Sequence, residues 1–275
     1  MTSHDVVSRM RRACGTRAVG HAGTLDPMAT GVLVLGIERA TKLLGHLTTS
    51  VKTYDATIRL GVSTTTEDAE GDVTATIPAT HLSDAQIRTA ASAFVGTIRQ
   101  RPSAVSAIKV GGVRSYARVR AGESVELPTR EVTIDRFEIH DIRHHDDVVD
   151  VDATVRCSAG TYVRALARDL GDALGVGGHL TALRRIAAGN YTLADAIALP
   201  EPDAQVVPTP LIEVLRHEFA IVQLDAEQSR QVRHGIRIPA ANAPAGLVGL
   251  VAADGSVIAL SEAVDGIWKH LAVFG

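Results

Sequence analysis

An aspartate in a glycine-rich turn is the residue of this sequence that is best placed to do chemistry. Asp26 lies in the run Gly20-His21-Ala22-Gly23-Thr24-Leu25-Asp26-Pro27-Met28-Ala29-Thr30-Gly31. Glycine permits positive φ angles and a close approach to a ligand, and Pro27 biases Asp26 towards an extended conformation. A buried strand predicted for 32–35 follows at once, so the turn would present a catalytic carboxylate from a rigid element. The alternative is that Asp-Pro only begins a turn or a helix.

An arginine in a second motif could stand beside such a carboxylate. In Ser158-Ala159-Gly160-Thr161-Tyr162-Val163-Arg164, a strand is predicted to end and Thr161 to cap a helix. Arg164 then falls in the first helical turn, where the helix dipole disfavours a cation. A local conflict of this kind is typical of functional sites. A surface arginine paired with Asp169 or Asp172 is the alternative.

Tyr54 is a third candidate, on one of several elements that must position the site. The segment 53–60 alternates between polar and apolar residues, which predicts a strand with Tyr54 on its apolar face. This spacing alone also fits a tyrosine of the core. Helices are predicted from Thr2, over 38–50 and from Ser83, and strands over 131–139, 148–157 and in the segment after 246.

Composition and charge describe an ordinary globular protein and leave a nucleic-acid partner open. The 275 residues are 45% hydrophobic and 21% charged, and the formal net charge is −3. Basic residues nevertheless form two groups, at 9–17 beside the Asp26 turn and at 99–120, where no acid occurs. Basic groups usually form a solvated face, but within an acidic chain they favour the nucleic-acid interpretation.

Several other classes of protein are excluded by the sequence. No stretch approaches the ~18 apolar residues of a membrane span, and the first residues lack the apolar core of a signal peptide. Cys14 and Cys157 lie far apart, which fits a reducing cytoplasm. The run 143–147 holds two histidines and two aspartates, but adjacent side chains diverge, so a hairpin loop is predicted and no metal site. The glycines at 175–178 follow a helix, which argues against a Rossmann nucleotide loop.

The motifs together resemble those of the bacterial tRNA pseudouridine-55 synthases, the TruB family. The run around Asp26 is similar to the catalytic motif of that family, and further matches follow in the family order: Lys52-Thr53-Tyr54, Gly160-Thr161-Tyr162-Val163-Arg164 and Leu183-Arg184-Arg185. The resemblance implies an α+β fold, namely a pseudouridine synthase catalytic domain with a mixed, mostly antiparallel central sheet flanked by helices. A small β-rich, PUA-like C-terminal domain is expected after it.

The resemblance also implies a role for each candidate. Asp26 is expected to be the nucleophile and Arg164 its charge partner, while Tyr54 stacks on the target uracil and helps to remove the C5 proton. A structural loop histidine is the alternative to a substrate-binding role for the histidine of the turn. His21 is expected to be a wedge that takes the place of the flipped base. Tyr162 and Leu183 are expected to form walls of the uracil pocket, and Lys109 and Arg114 to lie on a surface that follows the phosphates.

The implied activity is the isomerisation of uridine 55 in the T loop of tRNA, with no cofactor and no metal. The base must be flipped out of a folded loop, which costs a few kcal/mol. The partner is expected to be the T-arm stem–loop and the protein a monomer, and attack at C1′ or at C6 is left open. Two alternatives are a non-catalytic tRNA-binding or remodelling protein and a guide-RNA-dependent pseudouridine synthase acting on ribosomal RNA.

Two domains are predicted, a catalytic domain over 1–215 and the PUA-like domain over 216–275. Four prolines between 200 and 210 indicate the connecting segment. Family members usually begin with a strand and a Lys-Pro-x-Gly segment, whereas this chain starts at the helix that would follow. We therefore expect the N-terminal strand and Lys-Pro segment to be missing, through a truncated start or a divergent member, which would weaken the support behind the catalytic turn.

Overall fold

The computed structural model describes residues 1–48, 50–103, 109–110, 113–114, 128–201 and 204–274, with the backbone alone at 109–110 and 113–114. The chain divides into two units. The first unit comprises Met1–Thr2, Thr24–Leu33 and Thr48–Ala196, and the second comprises Ser3–Gly23, Val34–Leu47 and Ile197–Gly275. Each unit therefore draws on separate segments of the sequence.

The elements are numbered here in chain order over the described residues. The helices are α1 Ser3–Ala13, α2 Leu44–Thr48, α3 Asp84–Ser92, α4 Val163–Ala173, α5 Leu211–Glu218 and α6 Ala226–Arg233, with 3₁₀ segments at Glu38–Leu43 and Leu193–Asp195. The strands are β1 Val19–Ala22, β2 Thr30–Gly31, β3 Val34–Ile37, β4 Lys52–Leu60, β5 Val62–Thr64, β6 Val73–Thr76, β7 Gly96–Gln100, β8 Lys109–Val110, β9 Val113–Arg114, β10 Arg130–His144, β11 Val149–Cys157, β12 Gly178–Ala188, β13 Tyr191–Thr192, β14 Ala220–Leu224, β15 Leu247–Ala252, β16 Val257–Val264 and β17 Ile267–Val273.

A seven-stranded sheet organises the described part of the first unit. Six strands follow the order β13-β12-β4-β11-β10-β7, and the short β2 lies beside β12. The β2–β12 pair is parallel, and the pairs along the six-strand path are antiparallel. The mixed, mostly antiparallel sheet predicted from the sequence is thus present, and its central strand β4 carries Tyr54.

One face of this sheet is apolar because β4 and β11 both alternate in register. The predicted apolar face of β4 is buried, and so is Cys157 at the end of β11. Helix α4 covers this face with an apolar stripe, and each fully buried aliphatic side chain contributes about 1.5–3 kcal/mol of hydrophobic stabilisation. The core includes Ala56, Ile58, Leu60, Val149, Val151, Ala153, Val155, Val163, Leu166, Ala167 and Leu170.

Cross-strand polar contacts occupy neighbouring positions on β4 and β11. Arg59 donates to both carboxylate oxygens of Asp150, at 2.8 and 2.7 Å, and the Asp150 side chain is only 10% exposed. Two register positions along, on the same face, Thr57 donates to Asp152 at 2.7 Å. Since opposite charges directly across an antiparallel pair stabilise it, these contacts fix the register that places β4.

The Arg59–Asp150 pair gives a pH-dependent prediction for stability. The hydrogen bond from Arg59 holds the pKa of the Asp150 carboxyl below its usual value. A lowered pKa in the folded state contributes stability above the unfolded value of about 3.9, which is lost as the pH falls through the folded pKa. Asp150→Asn should therefore cost about 1–3 kcal/mol at pH 7, and this cost should shrink below about pH 4. Urea unfolding between pH 7 and 3 measures this loss of unfolding free energy, and Asp146→Asn, at an exposed aspartate, is the control. A loss that is equal at all pH values would contradict the prediction.

Three local predictions differ from the structure. The helix predicted over 38–50 is a 3₁₀ segment followed by the five-residue α2. The strand predicted over 32–35 begins later, at Val34, because the backbone N–H of Val32 donates to the Arg185 carbonyl at 2.8 Å instead. Thr161 does not cap α4: Tyr162 is the N-cap residue, and the Thr161 hydroxyl donates to the Ser158 carbonyl at 2.9 Å.

The second unit contains a four-stranded sheet in the order β14-β15-β16-β17. The β14–β15 pair is parallel and the other two pairs are antiparallel. Helix α6 begins at Asp225, which forms a capping box with Gln228. The strands predicted after residue 246 are therefore found, and the C-terminal segment is rich in β structure as expected. Among the described residues, no helix is both long enough and apolar enough to span a membrane.

Candidate active site

The turn that carries Asp26 is closed by its own backbone and tied to the main sheet. The N–H of Ala29 donates to the Asp26 carbonyl at 2.9 Å. Gly31 then adopts φ +98°, a conformation that glycine tolerates and other residues rarely adopt. Its backbone pairs in parallel with Arg185 on β12. The Asp26 carboxylate is therefore presented next to the central strands, as the sequence predicts for a constrained turn.

Gly31 is the position where a side chain would disturb this turn most directly. A Cβ atom added there would overlap the carbonyl oxygen of Arg185. We expect Gly31→Ala to lower the free energy of unfolding by about 2–4 kcal/mol, from backbone strain together with overpacking. Gly15→Ala is the matched control, because Gly15 also has positive φ (+64°) but nothing within 4 Å of an added Cβ. Urea unfolding of both variants checks the prediction, and equal losses would contradict it.

Asp26 forms a two-point ion pair with Arg164. Nη2 of Arg164 lies 2.8 Å from Oδ1 of Asp26, and Nε lies 3.1 Å from Oδ2. The Arg164 side chain is 6% exposed and the Asp26 side chain 32% exposed. The pairing with Asp169 or Asp172, left open by the sequence, is therefore not adopted. A fork-to-carboxylate contact holds the carboxylate in one orientation, and the exposed part of Asp26 remains available to a substrate.

A second aspartate, which the sequence analysis did not single out, lies on the other side of Arg164. Nη1 of Arg164 donates to the Thr66 carbonyl at 3.0 Å and lies 3.3 Å from Oδ2 of Asp68. Asp68 is itself buried, and it accepts from the Thr66 hydroxyl and from the backbone N–H of Glu70. One arginine thus bridges two carboxylates, one about one-third exposed and one buried.

The loop that holds Asp68 is constrained by a second ion pair. Glu67 adopts φ +62°, in the left-handed region, and its carboxylate contacts Nη1 of Arg168 at 2.5 Å. Burial raises the pKa of the Glu67 carboxyl, and Arg168 opposes the rise. Because Arg164 and Arg168 are one helical turn apart on α4, the same helix anchors the Thr66–Asp68 loop at two points, through the Thr66 carbonyl and the Glu67 carboxylate.

Tyr54 and Leu183 lie on the adjacent strands β4 and β12. Both are buried in the core of the first unit, where Met28 and Ala29 of the Asp26 turn also pack. Burial raises the pKa of the Tyr54 hydroxyl, while the charge of Arg185 opposes the rise. The aromatic ring and the leucine expected to contact uracil therefore lie within the same core as the turn that carries Asp26.

Tyr162 is held by contacts at both its backbone and its ring. Its N–H donates to the Gln100 side chain at 2.9 Å, and its carbonyl accepts from the Gln100 amide at 3.0 Å. The guanidinium of Arg130 lies over the ring, 4.9 Å from its centre. Tyr162 therefore has a fixed backbone two residues before Arg164, as a pocket residue would need.

The other predicted substrate-binding residues are His21, Lys109 and Arg114. His21 is on β1 in the second unit, and its ring meets that of His4 edge-on at 5.7 Å between centres. Lys109 and Arg114 are paired opposite each other in the β8–β9 hairpin. Of the basic segment 99–120, positions 104–108, 111–112 and 115–120 lie outside the described residues. Within the described part of the chain, no group of three or more His, Cys, Asp or Glu residues could hold a metal ion.

Family models match almost the whole sequence. Residues 11–163 match the model described as TruB family pseudouridylate synthase (N terminal domain). Residues 164–207 match the tRNA pseudouridylate synthase B C-terminal domain, and residues 219–275 match tRNA Pseudouridine synthase II, C terminal. The chain belongs to the TruB family of pseudouridylate synthases. The resemblance read from the sequence motifs is thereby confirmed.

Several curated relatives resemble this TruB-family chain over most of their length, and each is named tRNA pseudouridine synthase B. The protein from Thermobifida fusca (strain YX) is 53% identical over 277 residues, covering 99% of this chain and 94% of the relative. The Nocardia farcinica (strain IFM 10152) protein is 55% identical, covering 95% and 86%. The Mycobacterium sp. (strain KMS) protein is 58% identical, covering 95% and 88%.

Solved structures of lower identity share the fold. A chain in the crystal structure of a Cbf5-Nop10-Gar1 complex aligns with a TM-score of 0.67 at 24% identity, covering 100% of this chain and 80% of that one. A chain in the crystal structure of the archaeal box H/ACA sRNP Nop10-Cbf5 complex aligns with a TM-score of 0.68 at 22% identity, covering 100% of this chain and 83% of that one. At this identity the likeness concerns the fold alone. Together with the family models, it confirms the predicted α+β class and the β-rich C-terminal part.

Proposed function

We propose that this chain isomerises uridine 55 in the T loop of tRNA to pseudouridine, with Asp26 as the nucleophile. The two-point ion pair between Asp26 and the buried Arg164 is the observation that carries the proposal. It supplies an oriented carboxylate that is still about one-third exposed, beside the core that contains Tyr54 and Leu183. Relatives named tRNA pseudouridine synthase B, 51–58% identical, support tRNA as the substrate.

Each residue has a defined part in this reaction. Asp26 attacks the target nucleotide at C1′ or at uracil C6, and the two-point contact with Arg164 holds its carboxylate in one orientation. The C1′–N1 bond breaks, a C1′–C5 bond forms and the bond to the Asp26 carboxylate is released. N1 gains a proton, the C5 proton leaves and the C5=C6 double bond is restored. Tyr54 stacks on the base and helps to accept that proton, and Leu183 and Tyr162 wall the pocket. Since one glycosidic bond is exchanged for another within the same nucleotide, no cofactor is consumed.

Substrate binding is assigned to residues outside the catalytic group. His21 takes the place of the flipped base, and Lys109 and Arg114 contact phosphates of the T-arm stem–loop. Aromatic residues make up only 3% of the chain, so affinity should rest on RNA shape and phosphate contacts and should fall with salt. The non-catalytic and guide-RNA-dependent alternatives are less well supported, because the relatives at more than half identity are named for tRNA.

Further features of the proposal follow from this chemistry. We propose a monomeric, cytoplasmic enzyme that needs no metal, with a catalytic domain over 1–215 and a PUA-like domain over 216–275. Nucleophilic attack by a carboxylate requires no metal-bound water, so activity should survive EDTA. In the structure, 3–23 and 34–47 belong to the same unit as 197–275. The domain boundary at 215/216 remains a prediction.

The experiment that tests the activity uses the full chain and an unmodified tRNA transcript labelled with [5-³H]uridine. Loss of the C5 proton releases tritium, and one equivalent per tRNA is expected. A transcript with cytidine at position 55 is the control and should release none, while the isolated T-arm stem–loop should be a substrate. No release from the intact transcript, or unchanged release from the cytidine-55 transcript, would overturn the proposal.

A further inference from the structure

A buried arginine next to the site is not used by the reaction as described above. Arg185 lies on β12 and is 1% exposed, the largest fully buried side chain among the described residues. Burying an arginine is costly unless its donors are satisfied. The five N–H groups of this guanidinium therefore need hydrogen-bond acceptors within the protein.

Both ends of the Asp26 turn are attached to Arg185. Its Nε donates to the Val32 carbonyl at 2.7 Å, and Nη1 donates to the Thr24 carbonyl at 3.4 Å. The Arg185 carbonyl in turn accepts from the Val32 N–H at 2.8 Å. Residues 24 and 32 bracket Asp26, so a single residue determines where the nucleophile's turn begins and ends.

The same guanidinium also reaches Tyr54. Arg185 and Tyr54 are directly opposite each other in the antiparallel β12–β4 pair, where side chains share a face with Cβ atoms about 4.5–5.5 Å apart. Burial raises the pKa of the Tyr54 hydroxyl, and the charge of Arg185 and hydrogen bonding to its side chain act in the opposite direction. Arginine suits this position because its planar fork reaches several acceptors at once, whereas lysine offers one compact ammonium.

We propose that Arg185 is a positioning residue that fixes the Asp26 turn and the Tyr54 hydroxyl in one arrangement, so that both meet the same uracil. This inference rests on the proposed function, in which Asp26 attacks and Tyr54 stacks. Arg185 acts through these two residues and does not touch the reacting atoms. A displacement of about 1 Å between such groups lowers a rate by about 10²-fold.

Activity measurements on the full chain test this role. Arg185→Gln should lower the single-turnover rate of pseudouridine formation by about 10²-fold or more, with the Kd for tRNA within about threefold of wild type. Arg185→Lys should recover part of the rate, to within about tenfold. Arg136→Gln, at an exposed arginine on β10, is the charge control, and Val151→Ala, in the core on β11, is the control for lost stability.

A double substitution separates positioning from general weakening of the fold. Tyr54→Phe removes the hydroxyl that Arg185 contacts. Arg185→Gln should therefore lower the rate of pseudouridine formation by a smaller factor in the Tyr54→Phe protein than in wild type. Strictly multiplicative effects would overturn the proposal. So would a rate within threefold of wild type, or a loss no greater than that of Val151→Ala. If Arg185→Gln does not fold, Arg185→Lys decides, and a wild-type rate for it overturns the role.

A spectroscopic measurement keeps the test independent of turnover. Arg185 opposes the rise in the pKa of Tyr54 caused by burial, so its removal should raise that pKa further. Titration of ¹³C-labelled tyrosine by NMR, assigned with Tyr54→Phe, reads this directly in the Arg185→Gln and Arg185→Lys proteins. An unchanged Tyr54 titration overturns the inference. If wild type forms no pseudouridine, the proposed function fails, while this titration still decides whether Arg185 holds the hydroxyl.

Discussion

Asp26→Asn should lower the rate of pseudouridine formation by about 10⁴-fold or more, the scale seen when an enzyme loses its nucleophile. The amide keeps the shape of the carboxylate but has neither its charge nor its nucleophilicity. It also presents one donor where Arg164 now finds an acceptor, at 2.8 or 3.1 Å. Binding of tRNA should change by less than about threefold, because shape and phosphate contacts elsewhere supply the affinity. Single-turnover tritium release and a salt-matched binding assay measure the two quantities.

The matched control for this variant is Asp146→Asn, at an exposed turn aspartate, which should turn over like wild type. Thermal unfolding must accompany both variants, since Asp26→Asn leaves the Arg164 charge with one fewer carboxylate, although Asp68 still lies 3.3 Å from it. Turnover by Asp26→Asn within tenfold of wild type, in folded protein, removes Asp26 from the nucleophile role.

The sequence predicts the parts of the site that follow from local pattern. Period-two alternation is sufficient to place Tyr54 on the buried face of β4, and the glycine and proline pattern is sufficient to constrain the Asp26 turn. The partner of Arg164 could not be obtained in this way. On residue types alone, Arg164 could have paired with Asp26, Asp169 or Asp172. The Asp26 contact joins positions that are 138 residues apart in the sequence. Only the resemblance to the family favoured that pair, and the catalytic roles remain predictions.

The residues that the sequence analysis missed are buried charges whose partners are distant in sequence. Asp68 lies in the run Glu67-Asp68-Ala69-Glu70-Gly71-Asp72, which has the composition of a solvated acidic face. Its burial depends on Arg164, which arrives from α4. Arg185 gave a usable signal, since on a strand it shares the face of Leu183, two residues earlier. An arginine on a face predicted to line a pocket must either extend its guanidinium to solvent or donate hydrogen bonds to acceptors within the protein.

Arg164 is the residue whose loss should affect stability and activity together. Arg164→Gln leaves Asp26 and the 3% exposed Asp68 side chain close together without the cation between them. Removing one partner of a buried ion pair typically costs about 3–5 kcal/mol, because an uncompensated charge stays buried. We expect a loss of that size in urea unfolding. We also expect pseudouridine formation to fall by at least about 10²-fold.

Arg164→Lys separates charge from geometry at the same position. The ammonium keeps the positive charge between the two carboxylates, so the loss of stability should be smaller, about 1–3 kcal/mol. A single Nζ cannot reproduce the fork that meets Oδ1 and Oδ2 of Asp26 while also donating to the Thr66 carbonyl at 3.0 Å. The rate should therefore stay about 10²-fold low in a protein that is largely folded and binds tRNA normally. Arg136→Lys is the exposed control. A near-wild-type rate for Arg164→Lys would mean that the charge suffices and that the two-point contact does not aim the nucleophile.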